Sequence, residues 1–455
     1  MKKTKYIIIL IAGSVLFSAC KKDFFTEVND NPNAPPTANM VPYALLSTVE
    51  GALAYTQGST HSFMVSMLTQ QTQGFSRQAY AYDQYVFTSQ DFDDPWSNWY
   101  TAVMENNKKL MELADGKGYN QYSGVSRILM AYSLMVVVDS WGSIPYSNAL
   151  LGDALVLHPT YDSDSKLYET IGTLCDQAIT YLNNPDPGLL DLSQNGEDRI
   201  YGGDPALWVE FAHAIKARLY IHQSKGNAAM ATNALAEIAQ SFTSNADNAA
   251  YPFGVDETSA NPMYQFNENR ADLSFTTSTM ATMMAANLDP RYDVLFDSTF
   301  SDVNGVGLGG AYGNPEAPTL FITYEELQFM AAEATLRTSG DFAAAQLLFT
   351  AGIQASMDRL GVAAPDAAAY LAAHGVLPIT TVTDAINAVS YEEWISLYLN
   401  QEAFAMWRRN DAPALTPTVG GQIPRRLLIP QSEYTYNSAN VYVSTLFSPK
   451  VFWDN

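Results

Sequence analysis

Adjacent acid pairs, a few histidines and two glycine-bearing runs are the places where this chain could carry reaction chemistry. Paired acids occur at Asp93-Asp94, Glu325-Glu326 and Glu392-Glu393, among others. A glycosidase needs two carboxylates facing each other across a cleft, about 5–9.5 Å apart. Neighbours on a helix point about 100° apart, so none of these pairs meets that need. Both glutamate pairs read instead as helix-start or solvent-facing acids, where the macrodipole favours negative charge. The histidines offer no HExxH motif, and His213 and His222 are too far apart along a helix for a two-residue zinc clip. GxSxG and Walker loops are absent. GVGLGG (305–310) fits GxGxxG but lacks the preceding strand and following helix that would aim its glycines at a phosphate. DLSQNG (191–196) opens like a calcium loop, yet its twelfth position is Gly202 rather than a bidentate glutamate. The expectation is a protein with no catalytic residue, no cofactor and no metal site.

Recognition chemistry is better represented. A sugar ring shows an apolar face of C–H bonds and an edge of hydroxyls, so its site needs exposed aromatic platforms beside amides, carboxylates or arginine. Two irregular stretches supply these types. The first, GFSRQAYAYDQYVFTSQDFDDPW (74–96), offers Phe75, Arg77, Tyr80, Tyr82, Asp83 and Tyr85. Tyr80 and Tyr82 share a face if that stretch is extended. The second, 251–318, offers Tyr264, Asn267, Asn269, Arg270, Tyr312 and Asn314. Its Gly, Asn and Pro content demands a long excursion, uncommon in compact domains unless it has a function. A peptide would suit the same aromatics and use more backbone-amide pairing. Arg408, Arg409, Arg425 and Arg426 have the chemistry of an anion clamp. With so many acids in the chain, they read as internal ion pairs that fix the C-terminal helix. Trp96, Trp99 and Tyr100 fall at helical spacing after a proline and read as helix packing, and Trp141 and Tyr146 also read as structural.

The elements that must position these loops are helical. AYSLMVVVDSW, ALWVEFAHAIKARLYIH, EELQFMAAEATLR and EEWISLYLNQEAFAMWRR carry apolar residues at three- and four-residue intervals, and strand-like alternation is scarce. The class is mainly α. QSKGNAAMATNALAEIA (223–239) and RTSGDFAAAQLLFTAGI (337–353) resemble each other. Each predicts a helix end, a left-handed glycine cap at Gly226 or Gly340, an N-cap at Asn227 or Asp341, and an alanine-faced helix. This helix, tight turn, helix unit is the tetratricopeptide arrangement.

At the N-terminus, Lys2, Lys3 and Lys5 precede an apolar run from Tyr6 to Phe17 and the small pair Ser18-Ala19, the pattern of a secretory signal over 1–19. LFSAC resembles a bacterial lipobox with Phe17 where leucine is usual, which makes Cys20 the lipidated first residue of the mature chain. Residues 20–41, rich in Asn, Pro and Asp, read as a tether, and 42–455 as the folded domain. Removing 1–19 takes away three lysines, so 21 basic side chains face 47 acidic ones and the charge moves from −23 to −26. Such a surface excludes nucleic acid and anionic headgroups as partners, so membrane attachment falls to acyl chains. Cys175 is then left with no partner for an intrachain disulfide. No later stretch reads as a transmembrane helix.

Seven stretches resemble, in order, the SusD/RagB lipoproteins, and especially their SusD-like branch. They are AYSLMVVVDSWGSIPYSNAL (131–150), RIYGGDPALWVEFAHAIKARL (199–219), NLDPRYDVLF (287–296), AGIQASMDRLGV (351–362), EAFAMWRRND (402–411), IPRRLLIPQSEYTYNSANV (423–441) and the closing KVFWDN. The resemblance implies a tetratricopeptide-like helical-repeat scaffold with a loop-rich, variable ligand-binding part. It further implies an outer-membrane lipoprotein, facing the exterior, that captures an oligosaccharide or a peptide and hands it to a SusC-like TonB-dependent transporter. A surface glycan-active enzyme and an adhesin are the other readings.

Overall fold

A computed structural model describes residues 40–454 apart from 152–155, 185–191, 193–195, 271 and 298–306. Cys20 and most of its tether lie outside the described residues, as do most of DLSQNG and the first two residues of GVGLGG. Residues Pro42–Asn455 form one compact unit.

Helices dominate. Those of eight or more residues are α1 (Pro42–Gly58), α2 (Thr60–Leu68), α3 (Glu105–Lys117), α4 (Asn120–Trp141), α5 (Asp164–Leu182), α6 (Pro205–His222) and α7 (Ala228–Ile238). They continue with α8 (Pro262–Asn269), α9 (Thr279–Ala286), α10 (Tyr324–Ser339), α11 (Phe342–Arg359), α12 (Ala364–His374), α13 (Val382–Ser396) and α14 (Glu402–Asn410). Strands are short: β1 (Gln73–Gly74), β2 (Ile144–Pro145), β3 (Tyr161–Asp162), β4 (Ala249–Tyr251), β5 (Leu273–Ser274) and β6 (Thr319–Ile322). They pair antiparallel as β1–β5, β2–β3 and β4–β6, so two of the three ribbons join distant parts of the chain.

The repeat character lies in packed helix pairs, α4 with α5, α6 with α7 and α10 with α11, and α7 lies against α10. Small residues let the axes approach. A Cβ at Gly124 would meet Leu182 at 2.6 Å, and one at Gly352 would meet the Phe329 ring at the same distance. Gly340 takes the left-handed cap (φ 63°), and the Asp341 carboxylate accepts from the amides of Ala343 and Ala344, as the sequence predicts. The other turn differs. α6 ends at His222 with Gln223 as its C-cap, Gly226 (φ 74°) comes three residues after that cap, and Asn227 makes no side-chain cap.

α4 corrects the expectation that no later stretch has transmembrane character. Its 22 residues and mean hydropathy of 1.2 meet the length and composition of a membrane span, but the whole window is buried inside the fold. Its apolar surface packs against α3 and α5. Trp99, Trp141, Trp208 and Trp394 are fully buried in one large core, and Phe329, Phe349 and Met357 centre a second between α10 and α13. Trp96 is buried with them, and Tyr100 donates to the Pro145 carbonyl at 2.7 Å.

The glutamate pairs depart furthest from expectation. Glu325, Glu326, Glu392 and Glu393 are all buried rather than solvent-facing. Glu326 accepts two hydrogen bonds from Arg218, both 2.8 Å, and Glu325 pairs with Arg359. Glu392 pairs with Arg291 at 2.6 Å, and Glu393 faces Arg409 at 3.4 Å. Their partners come from other helices or loops, so the acids lock the helical layers together. The arginine quartet divides. Arg409 pairs with Glu333 at 2.9 Å, and Arg425 with Asp411 and Asp454. Arg408 instead donates to the carbonyls of Phe404 and Arg425, and Arg426 to those of Trp141, Leu427 and Pro449.

Candidate functional site

The two irregular stretches meet. β1 pairs with β5 in the register Gln73↔Ser274 and Gly74↔Leu273, which sets the first stretch against the second. The pairing is extended by side chains that converge on Asp272. The amide of Phe75 donates to the Asp272 carbonyl at 2.8 Å, and the Ser76 hydroxyl to its carboxylate at 3.2 Å. Arg77 Nε pairs with Oδ1, and Arg270 with Oδ2 at 2.7 Å. The Asp272 side chain is 1% exposed, while those of Arg77 and Arg270 remain 59% and 44% exposed. One buried carboxylate thus holds two guanidiniums with a large part of each facing solvent. Two charges on one countercharge leave a local positive site on a strongly acidic protein.

Aromatic surface stands beside it. Phe75 is exposed, and Tyr80 is 55% exposed. Residues 77–83 form a short helix, so the extended reading of this stretch is overturned. In a helix, positions 80 and 82 point to different sides. Tyr80 accordingly faces solvent while Tyr82 is 2% exposed, donates to Asp91 at 2.7 Å and stacks on Phe87 at 4.6 Å. Burial and then Asp91 push the Tyr82 phenol well above its usual range. Arg77 opens this helix with φ 50°, a left-handed conformation that costs a non-glycine residue about 1 kcal/mol or more. The Asp272 pair holds its side chain in that setting.

The remaining candidates are placed differently. Asp83 is buried and accepts from the Gly74 amide at 3.2 Å, tying the helix to β1, and burial raises its carboxyl. The Tyr85 hydroxyl accepts from the Thr418 amide at 3.1 Å. Tyr312 is buried against Tyr398, with ring centres 5.5 Å apart. Asn314 closes its own loop by donating to the Gly310 carbonyl and accepting from the Glu316 amide. Tyr264 and Asn267 are half-buried on α8, and Asn269 is exposed at its end with its amide on the Gln265 carbonyl at 2.8 Å. The structure therefore brings together Phe75, Arg77, Tyr80 and Arg270. Asp272, the residue that organises them, was missed. Its only signal in the sequence is its place two residues after Arg270 in NENRADLSF.

One cluster has the residue types of a metal site. Ligand atoms of Asp139, His222 and Glu402 lie within 4.8 Å of one another. Each is already engaged. His222 Nε2 and Glu402 share a hydrogen bond of 2.7 Å, His222 Nδ1 lies 2.8 Å from the Tyr168 hydroxyl, and Trp453 donates to Asp139 at 3.1 Å. Arg218 and Arg409 also approach Glu402, at 3.4 and 3.8 Å, so positive charge is supplied by the protein. The cluster joins α4, α6 and α14 as a buried polar tie.

A family model described as "SusD-like, starch-binding associating with outer membrane" matches residues 32–430. Solved structures share the fold. A SusD/RagB family protein from Bacteroides thetaiotaomicron superposes with a TM-score of 0.72 at 21% identity, covering 91% of this chain and 99% of that one. A chitin-binding SusD homologue from Flavobacterium johnsoniae gives 0.75 at 22% identity, covering 90% and 99%. Another structure, named a chitin-binding protein, gives 0.78 at 21% identity, covering 91% and 100%. No curated protein matches the chain.

Proposed function

The chain belongs to the SusD-like family of starch-binding, outer-membrane-associated proteins, and from that premise we propose that it captures an oligosaccharide on the Phe75–Arg77–Tyr80–Arg270 face for delivery to a SusC-like TonB-dependent transporter. The supporting observation is the convergence of two sequence-distant stretches on Asp272, which presents aromatic rings beside two half-exposed guanidiniums. Rings receive the C–H face of a sugar and the guanidiniums its hydroxyl edge. Asp272 is buried and holds both arginines, so the face is built for binding rather than bond cleavage. Lipidated Cys20 on its tether keeps the receptor at high local concentration beside the transporter, facing the exterior. A peptide is the second ligand class that this surface suits.

The test is calorimetry on the soluble form (residues 21–455) with chito-oligosaccharides, malto-oligosaccharides and a peptide digest, together with product analysis. The expected result is saturable binding of a saccharide with no shortened product, reduced at least tenfold in Phe75→Ala/Tyr80→Ala. Binding of peptides alone would move the ligand class, and released product would overturn the receptor reading.

A further inference from the structure

Among the described residues, Arg199 departs from the rule that governs the other arginines. Nine of them hold a carboxylate, from Arg77 to Arg425. Arg408 and Arg426 donate to backbone carbonyls. The Arg199 guanidinium has neither kind of partner among the described residues. It is exposed and lies 5.8 Å from the centre of the Tyr251 ring. In a chain where acids outnumber bases 47 to 24, an unpaired arginine against an aromatic face needs a reason.

The buried acid that meets its backbone does not supply a partner. Glu50 is fully buried beneath it and accepts from the backbone amide of Arg199 at 2.8 Å, not from the guanidinium. Burial, then the neighbouring Asp198, pushes the Glu50 carboxyl well above its usual range.

Arg199 lines a cleft of about 410 Å³ together with Tyr55, Tyr251, Phe253, Thr258 and Gln265. α1 provides Tyr55, which is 48% exposed, and β4 with the residues after it provides the other two rings. Tyr251 and Phe253 stand edge to face, with centres 5.4 Å apart. The volume lies in the range of small-molecule sites. The cleft adjoins α8 through Gln265, whereas Arg270 and the Asp272 face lie past the other end of that helix.

We propose that this cleft is a second ligand subsite, and that it takes an anionic sugar residue. The pyranose ring lies against the aromatic rings of Tyr55, Tyr251 and Phe253, and its carboxylate pairs with Arg199. Planar guanidinium donors match a carboxylate in a bidentate fork, and aromatic faces match ring C–H bonds. The guanidinium supplies, at this one cleft, the local positive charge that an acidic residue needs against the net negative field of the chain. This inference rests on the saccharide-binding reading of the protein.

The experiment titrates the soluble form with oligogalacturonate and oligoglucuronate, each beside its methyl ester. A neutral chito-oligosaccharide and an Asp/Glu-rich peptide pool complete the set. Wild type, Arg199→Gln and Phe75→Ala/Tyr80→Ala are compared. The expected result is a preference for acid over ester of roughly ten- to a hundredfold, the size of one charge-assisted contact, that weakens with salt and vanishes in Arg199→Gln. Neutral saccharide binding should survive Arg199→Gln. Equal affinity for acid and ester, or a preference that persists in Arg199→Gln, would overturn the inference. So would an Arg199-dependent affinity for the peptides alone. If neutral saccharides bind through Phe75 and Tyr80 and no Arg199-dependent preference is seen, this inference falls by itself. If no saccharide binds wild type, the reading beneath it falls as well.

Discussion

Arginine and carboxylate meet in two places in this molecule with opposite results. Between α10, α13 and α14, Arg409 is enclosed by Glu333 and Glu393, and Arg337 and Asn410 add donors to Glu333 at 2.8 and 2.9 Å. Both Arg409 and Glu333 are fully buried. At the Asp272 face only the carboxylate is buried, and two guanidiniums keep much of their surface in solvent. The first arrangement keeps both partners inside the fold and fixes helix positions. The second spends an acid to hold cationic donors at the surface. The pairing chemistry is shared; burial of the base decides whether it serves the fold or a ligand.

The largest effect that would test this contrast is on the enclosed side. Arg409→Met leaves Glu333 and Glu393 buried with less countercharge, and breaking a buried pair in this way costs about 3–5 kcal/mol. Chemical denaturation should show that loss, with near-native secondary structure at low denaturant. Burial raises the cost of charging Glu333, but Arg409 and Arg337 outweigh it and hold its carboxyl down at about 2. A variant as stable as wild type would mean that the network adds nothing to the fold.

Asp272→Ala is the middle case. Arg77 and Arg270 can hydrate when released, so the stability loss should be only about 1–2 kcal/mol. Saccharide affinity should fall about tenfold, because the guanidiniums lose their fixed orientation. If affinity survives while stability falls, Asp272 belongs with the enclosed pairs and the contrast breaks.

How far the sequence could separate these cases depends on where partners come from. Helix periodicity, the Gly340–Asp341 turn and the packing role of Trp96 and Trp99 are local patterns, and they were legible. Burial of Glu326 was not, because its partner Arg218 is 108 residues away in the chain. An acid in the first turn of α10 satisfies the macrodipole rule whether or not an arginine arrives from another helix. Tyr80 and Tyr82 share a face only if their stretch is extended, and seven helical residues remove that condition. The two loop regions were found by composition. That they meet at one carboxylate depends on β1–β5 pairing across about 200 residues, for which two-residue strands leave no pattern.

A pH effect on stability comes from the buried core as well. His61 is buried, lies 2.9 Å from the Ser140 hydroxyl and accepts from Trp99 Nε1 at 3.1 Å. Desolvation lowers its pKa from 6.5 to about 3. The unfolded chain therefore binds this proton below pH 6.5 while the folded chain does not. The contribution is complete above pH 6.5 and is lost as pH falls toward 3. Thermal unfolding of wild type should show Tm falling across that window, and His61→Gln, which is less stable at neutral pH, should show a shallower fall. An unchanged slope would exclude His61 as the titrating group.

The smallest change in stability belongs to the exposed side. Tyr80 makes no side-chain hydrogen bond among the described residues and is more than half exposed, so Tyr80→Ala should alter unfolding by no more than about 0.5 kcal/mol. Tyr82, two residues on, is buried and tied to Asp91, and belongs to the scaffold. Substituting both together would confound loss of ligand with loss of structure, which is why Tyr80 must be tested apart from Tyr82. A protein that unfolds like wild type yet binds its saccharide severalfold more weakly would place the ring in ligand contact. One that unfolds and binds like wild type would remove Tyr80 from the face and leave recognition to Phe75 and the two arginines.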